Sequence, residues 1–233
     1  MKTCFSIDPI GPVLPIWPVE VGRVPAWLGS RPPVQSAWAK ASGFEPELGR
    51  TLLLPGEEGR PEGVLLCLGQ EPDLWAFSAA ARSLPEGDYR VVLEAGSPAG
   101  LGQAAALGWA LGTYEFTRFR TKPARSLPKL VPPPGVDLTL AEALARATFL
   151  VRDLVNTPAE EMGPAELAQA AGRVAEEGGA RVEVIAGEEL VRRNFPSIYL
   201  VGRGSRREPL LIDLSWGSEE DPAVVLVGKG VCF

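Results

Sequence analysis

Gly63-Val64-Leu65-Leu66-Cys67-Leu68-Gly69, then Asp73 to Leu84, then Tyr89-Arg90-Val91-Val92-Leu93 is the stretch that decides the fold class. The first run is short, apolar and bounded by glycine, which reads as a strand. In the second, Leu74, Trp75, Phe77, Ala81 and Leu84 recur at helical spacing behind Asp73, a residue suited to capping a helix N-terminus. The third is again a strand. A strand, a helix and a strand in succession make a βαβ unit, and hence a largely parallel sheet. Arg50-Thr51-Leu52-Leu53-Leu54-Pro55 adds a strand before this core. Ser97 is placed to cap a longer helix that runs through Leu101, Ala105, Leu107, Trp109 and Leu111 toward Phe116. Upstream, Pro9, Pro12, Pro15, Pro18, Pro25, Pro32 and Pro33 exclude any long helix.

A proline-rich stretch then breaks the pattern. Lys122-Pro123-Ala124-Arg125-Ser126-Leu127-Pro128-Lys129 leads to Val131-Pro132-Pro133-Pro134-Gly135 and suits a semi-rigid linker with no regular structure. After it the α/β alternation resumes. Thr139 to Asn156 is an amphipathic helix, with Leu140, Leu144, Ala147, Leu150, Val151 and Leu154 expected to face inward. Pro164 opens a helix to Glu177, which Gly178-Gly179 ends. Arg181 to Ile185 alternates as a strand, and Glu188 to Arg193 is a short helix. Ser197 to Val201, Pro209 to Leu214 and Ala223 to Val227 are three further apolar segments. The reading is thus an α/β protein. It has an N-terminal α/β domain over 1–121 with a mostly parallel sheet, a linker over 122–136, and the first part of a second α/β domain over 137–233.

Composition removes several functions. The net charge of −6 leaves no basic face for nucleic acid. No apolar run approaches the ~20 residues that a membrane helix needs, so no membrane partner is expected. The segment from Met1 to Pro9 lacks the apolar core of a signal peptide. Cys4, Cys67 and Cys232 are odd in number and without metal-ligand spacing, and read as free thiols in a reducing cytoplasm. Trp17, Trp27, Trp38, Trp75, Trp109 and Trp216 are scattered, without the basic interleaving of a single-strand-binding groove, and read as core and rim packing. Histidine is absent altogether. That excludes a Ser-His-Asp triad, a Cys-His pair and a His-Glu-x-x-His zinc helix. Chemistry here must use carboxylates, lysine, arginine, hydroxyls or a metal held by oxygen and amine donors.

Among the remaining motifs, Val227-Gly228-Lys229-Gly230-Val231-Cys232-Phe233 stands out. Ala223 to Val227 has no polar residue on either face and reads as a strand buried on both sides of a parallel sheet, delivering a Gly-Lys-Gly turn to its carboxyl end. Taken alone, the turn fits an exposed lysine at a strand end. As a phosphate loop it is a poor match, because Ala223 stands where the first glycine belongs and Gly230 where a hydroxyl residue belongs. Arg203-Gly204-Ser205-Arg206-Arg207 reads as a solvated turn between two strands. Glu160-Glu161 and Glu176-Glu177 read as solvated faces, since adjacent helical residues diverge.

Val151-Arg152-Asp153-Leu154-Val155-Asn156-Thr157-Pro158, Val201-Gly202-Arg203-Gly204-Ser205 and the Gly228-Lys229-Gly230 ending occur in the order seen in the leucyl (cytosol) aminopeptidase family, which the sequence resembles. Leu107 to Phe116 resembles the helix that closes the N-terminal domain of some bacterial members. Asn194-Phe195-Pro196 departs from a turn that is Gly- and Met-rich in many members. The resemblance implies a dinuclear metallo-aminopeptidase using two divalent ions (manganese, zinc or magnesium), peptide substrates, a cytoplasmic location and, in the complete enzyme, a homo-hexamer. It implies that Lys229 is a metal ligand. In the family the segment continues to an Asp-(Ser/Thr)-Gly-Gly whose aspartate also binds metal, and the sequence ends one residue before that position. The expectation is therefore an N-terminal portion of such an enzyme, inactive alone, with no catalytic residue among these 233. One amine without a cage of hard oxygens is a weak metal site, so no specific metal binding by this chain and no hexamer are expected. An uncovered strand at 223–227 would make the chain poorly soluble or leave 136–233 loosely folded. The alternatives are a complete, non-catalytic α/β binding module and a phosphate-handling enzyme using Gly228 to Gly230.

Overall fold

The computed structural model describes residues 4–71, 73–94, 96–121 and 126–232. The chain divides into two compact units, Met1–Val151 and Arg152–Phe233.

The first unit is built on five strands, β1 (Val13–Glu20), β2 (Thr51–Pro55), β3 (Pro61–Leu68), β4 (Asp88–Val91) and β5 (Lys129–Val131), in the order β2-β3-β1-β4-β5. The pairings β1/β3, β1/β4 and β4/β5 are parallel; only β2, on the edge, runs antiparallel to β3. Helices α1 (Val24–Gly29) and α2 (Pro33–Ala41) follow β1, α3 (Leu74–Ser83) joins β3 to β4, and α4 (Leu101–Gly112) joins β4 to β5. The α/β class and the mostly parallel sheet expected from the sequence are what is found. Val64 to Leu68 are all buried because both faces of the sheet are covered. Val64, Leu66 and Leu68 pack with Ile16, Phe77, Tyr89, Trp109 and Leu130 on one side. Leu65 and Cys67 pack with Val24, Ala39, Leu52 and Leu54 on the other, the two-residue alternation of a strand.

The central strand, β1, is the one the sequence reading passed over, because Pro15 and Pro18 argue against a strand paired on both sides. Register explains the exception. Ile16 accepts from the Val92 N–H at 2.9 Å, so its polar groups face β4 and those of its neighbours face β3. By alternation, the nitrogen of Pro15 points toward β3, whose pairing with β1 begins only at Ile16. That of Pro18 points toward β4, whose pairing with β1 stops at Ile16. Each proline lacks its N–H where no ladder bond is due.

Asp73 caps α3 as expected, its carboxylate accepting from the Trp75 N–H at 2.8 Å. Ser97 does not cap α4. Its hydroxyl accepts from the Glu94 N–H at 3.0 Å within the preceding loop, and Gly100, at φ 80°, takes the N-cap position. The helix ends at Gly112, short of Phe116. The expected irregular linker over 122–136 is corrected at Lys129–Val131, which pairs with β4; Lys122 to Arg125 lie outside the described residues. Pro128 and Pro132 bracket three residues free to donate, enough for a short parallel pairing. The indole N–H of Trp109 donates to the Pro128 carbonyl at 3.2 Å and pins the strand from α4.

Helix α5 (Leu138–Asn156) forms where expected but turns the other way. Ala141 and Ala145 are buried, with Leu138 and Phe149 packed beside them, while Leu140, Leu144 and Val151 are exposed. The small alanines allow the helix axis to approach the core closely, which the larger leucines would not.

The second unit contains α6 (Pro164–Gly178), α7 (Glu188–Arg192) and α8 (Pro196–Gly202), with β6 (Arg181–Ala186) antiparallel to β7 (Leu210–Ser215). Gly179, at φ 65°, stops α6 as expected. The apolar segment at 197–201 is helical rather than extended, because Pro196 occupies the first turn and presets a helical φ. The basic turn therefore joins a helix to a strand, not two strands. Ala223 to Val227 is not a strand: it has no regular structure and is exposed throughout, Leu226 and Val227 to 92% each. An apolar run becomes a strand only when a neighbour offers backbone partners, and among the described residues none pairs with it.

All three cysteines are free thiols. Burial pushes the Cys4 thiol up from the ordinary 9.0 to about 11. Cys4 should resist a thiol reagent at pH 8 while Cys232 reacts. Because the native state holds this proton more tightly, its contribution to stability is complete below pH 9 and lost as pH rises toward 11. Chemical denaturation of Cys4→Ala across pH 8–11 should show a shallower decline than the parent chain.

Candidate functional site

Gly228-Lys229-Gly230 lies in an exposed segment without regular structure. Neither glycine has a positive φ, and a Cβ at Gly228 would meet open space; one at Gly230 would touch Leu167 of α6 at 3.7 Å. The fold of these residues therefore does not itself require the glycines. Among the described residues no group of three or more His, Cys, Asp or Glu side chains could hold a metal ion. With one amine and no converging carboxylates, the residues present do not fit a two-metal centre, and no step can be derived through one.

The second unit is braced by Arg207, a residue that the sequence reading places in a solvated turn. Arg207, in the basic turn, donates to the Glu160 carbonyl and to the Glu166 carboxylate, the latter at 3.5 Å. Glu166 also accepts from the Gly163 N–H at 2.9 Å, closing the first turn of α6. Backbone N–H donors of Glu166 and Gly163, then Arg207, hold the Glu166 carboxyl below the usual carboxylate range. One arginine thus ties the turn after α5, the start of α6 and the approach to β7. The missed signal is the spacing of Gly163 and Glu166, a glutamate three residues into a helix start. Thr157, in the Asn156-Thr157-Pro158 signature, is buried and donates its hydroxyl to the Asp153 carbonyl at 2.6 Å, ending α5. Glu160, Glu161, Glu176 and Glu177 are exposed, as expected of solvated faces.

Two polar features occur in the first unit. The Arg31 guanidinium stands 4.3 Å from the Trp17 ring centre and 5.0 Å from that of Trp27. It also donates at 3.1 Å to the buried Gln35, which donates to Glu62 at 2.8 Å. Every partner there is satisfied, so the cluster fastens the α1–α2 turn to the sheet. A cavity of about 390 Å³ opens at the end of α4, lined among others by Arg82, Thr113, Tyr114, Glu115, Arg120 and Leu127. Arg120 is paired with Glu115 at 2.9 Å.

Residues 14–133 match the M17 aminopeptidase N-terminal domain, and residues 149–233 match the catalytic domain of the cytosol aminopeptidase family. A "Probable cytosol aminopeptidase" of Syntrophotalea carbinolica is 33% identical over 231 residues, covering 85% of this chain and 46% of its own. One of Rhodococcus opacus is 37% identical over 146 residues, 56% of this chain and 29% of its own. The crystal structure of the cytosol aminopeptidase from Coxiella burnetii superposes with a TM-score of 0.81 at 35% identity, over 94% of this chain and 47% of that one. The bottromycin maturation enzyme BotP in complex with Mn, at 24% identity and TM-score 0.66 over 90% of this chain and 46% of that one, shares the fold. The chain spans about half the length or less of the relatives it matches. Two family domains in tandem, in the order and over the residues where the fold was built, settle the affiliation: this chain belongs to the M17 leucyl (cytosol) aminopeptidase family.

Proposed function

We propose that these 233 residues contribute the N-terminal α/β domain and the opening of the catalytic domain of a metal-dependent aminopeptidase. That enzyme removes N-terminal residues from peptides in the cytoplasm. The tandem match over 14–133 and 149–233 carries this reading. The first domain runs at least through β5 at Lys129–Val131, and the second follows it. Lys229 supplies one amine ligand to a pair of divalent ions, manganese, zinc or magnesium. In the complete enzyme the chemistry such a centre would supply is activation of a water and of a scissile carbonyl. Lys229 would hold one of the ions through its neutral amine.

The 233 residues alone are expected to be inactive and not to form the family's hexamer. A leucyl anilide assay of the purified chain with manganese or zinc should give no turnover above a buffer blank. Metal-dependent release of the anilide by the chain alone would overturn this. Fusion of residues 1–233 to the remaining half of the Coxiella burnetii enzyme should give metal-dependent turnover. A folded but inactive fusion would count against the aminopeptidase reading.

A further inference from the structure

The sheet of the first unit has two edges, and the fold treats them differently. Beside β5 lies the start of the chain: the Leu130 N–H donates to the Cys4 carbonyl at 2.9 Å, and the Ser6 N–H to the Leu130 carbonyl at 2.9 Å. Beside β2 there is no strand among the described residues. The Cys67 N–H donates to the Arg50 carbonyl at 3.0 Å, and the Gly56 N–H to the Arg60 carbonyl at 2.8 Å. Residues 50, 52, 54 and 56 therefore turn their polar backbone groups toward β3, and those of Thr51, Leu53 and Pro55 point outward. The strand Thr51-Leu52-Leu53-Leu54-Pro55 carries no charge. An uncharged, apolar edge is a template for strand addition, and a proline protects only its own position.

Side chains of α2 close this edge. The Trp38 indole N–H donates to the outward Leu53 carbonyl at 3.1 Å. The Gln35 amide stands 3.5 Å from the outward Pro55 carbonyl, held there by Arg31 at 3.1 Å and Glu62 at 2.8 Å. Gln35 and Trp38 are one helical turn apart, about 5–6 Å, and the carbonyls they meet are two strand residues apart, about 6.7 Å. The repeat of the helix thus matches the repeat of the strand edge.

We infer that Trp38 is an edge guard: by occupying the Leu53 carbonyl it keeps β2 from pairing antiparallel with β2 of a second copy of this chain. A second copy is the partner excluded because the strand is complementary to itself about a two-fold axis. In a pairing centred on Leu53, the Leu53 N–H of each copy would donate to the Leu53 carbonyl of the other. The Thr51 N–H of each would donate to the Pro55 carbonyl of the other, where proline offers no N–H in return. Every acceptor in that ladder is a Leu53 or a Pro55 carbonyl, and these are the two that α2 covers.

Sedimentation equilibrium of the 233-residue chain tests this, with each variant compared to the parent at the same concentrations. Trp38 is 47% exposed, so its replacement should leave the chain folded. Trp38→Phe keeps a ring over the edge and loses only the donor; Trp38→Ala loses both. Each should lower the dimer dissociation constant by about tenfold or more, the yield of freed carbonyls that pair across copies. Adding Thr51→Pro to Trp38→Ala removes an outward N–H at the first residue of the strand, where proline is tolerated, and should return association to the parent level. Hydrogen exchange supplies a second readout. In the parent the Leu53 amide should exchange faster than those of Leu52 and Leu54, and in Trp38→Ala it should slow as concentration rises. Unchanged association in folded Trp38→Ala and Trp38→Phe overturns the inference. Association that survives Thr51→Pro overturns it by placing the contact elsewhere. Association in Trp38→Ala but not in Trp38→Phe overturns it by making the bulk of the ring the barrier. A Leu53 amide as protected in the parent as that of Leu52 overturns it too, because the edge groups would then not face outward.

Discussion

Trp109→Ala should lower the thermal midpoint of the first unit by about 10 °C, from a loss of about 3–5 kcal/mol. The indole is fully buried in the layer between α4 and the sheet, its ring centre 5.8 Å from that of Tyr89. Its N–H donates to the Pro128 carbonyl at 3.2 Å. Truncation removes the packing, leaves a cavity and strands a buried carbonyl together. It also releases the bond that fixes β5, so hydrogen exchange at Leu130 and Val131 should quicken more than at Val64 to Leu66. Trp109→Phe keeps most of the volume and loses the donor, at a cost of about 1–3 kcal/mol. Trp216→Ala is the matched control, since that indole also donates to a carbonyl, Gly178 at 3.0 Å, but is 79% exposed. Its effect should stay near ~0.5 kcal/mol. Calorimetry of the three variants decides the matter. Equal midpoints for Trp109→Ala and Trp216→Ala would show that Trp109 is not a keystone of the unit.

Elements whose signal is local were legible in the sequence, and those that depend on a neighbour were not. Asp73 announces α3 because a cap needs only the next two residues, and Gly178-Gly179 stops α6 by its own backbone freedom. β3 is legible because a run buried on both faces needs no alternation to be recognised. β1 was hidden because its prolines are tolerated only in the register that its partners impose. β5 was hidden because three residues between prolines become a strand only against β4. For α5 the sequence shows two apolar faces and cannot say which the core takes. The structure chooses the one with alanines. At 223–227 the composition reads as a buried strand, yet pairing is a property of the partner, and that part of the reading failed. The candidate site divides the same way. The Gly-Lys-Gly turn and the Asn156-Thr157-Pro158 signature are visible as motifs, whereas the bracing by Arg207 crosses from 207 to 160 and 166 and has no local pattern.

Lys229→Ala, made in the active fusion, should reduce leucyl anilide turnover by at least ~100-fold. Removal even of a group that only orients a metal ligand costs about 10–100-fold in affinity or activity, and the ligand itself should cost no less. The decisive companion is Lys229→Arg. Arginine keeps a positive charge at this position but stays protonated and cannot offer a lone pair. If Lys229 served only as a cation, steering a peptide carboxylate or stabilising an anion, arginine would restore much of the activity. If it is a metal donor, arginine should fail as completely as alanine, and bound manganese measured by elemental analysis should fall in both. The metal readout separates the role from simple misfolding, because Lys229 is exposed and free of regular structure, so neither substitution should move the thermal midpoint of the 233-residue chain. Retained manganese and near-parent turnover in Lys229→Arg would remove Lys229 from the metal centre and leave Gly228-Lys229-Gly230 an exposed loop with a solvated lysine.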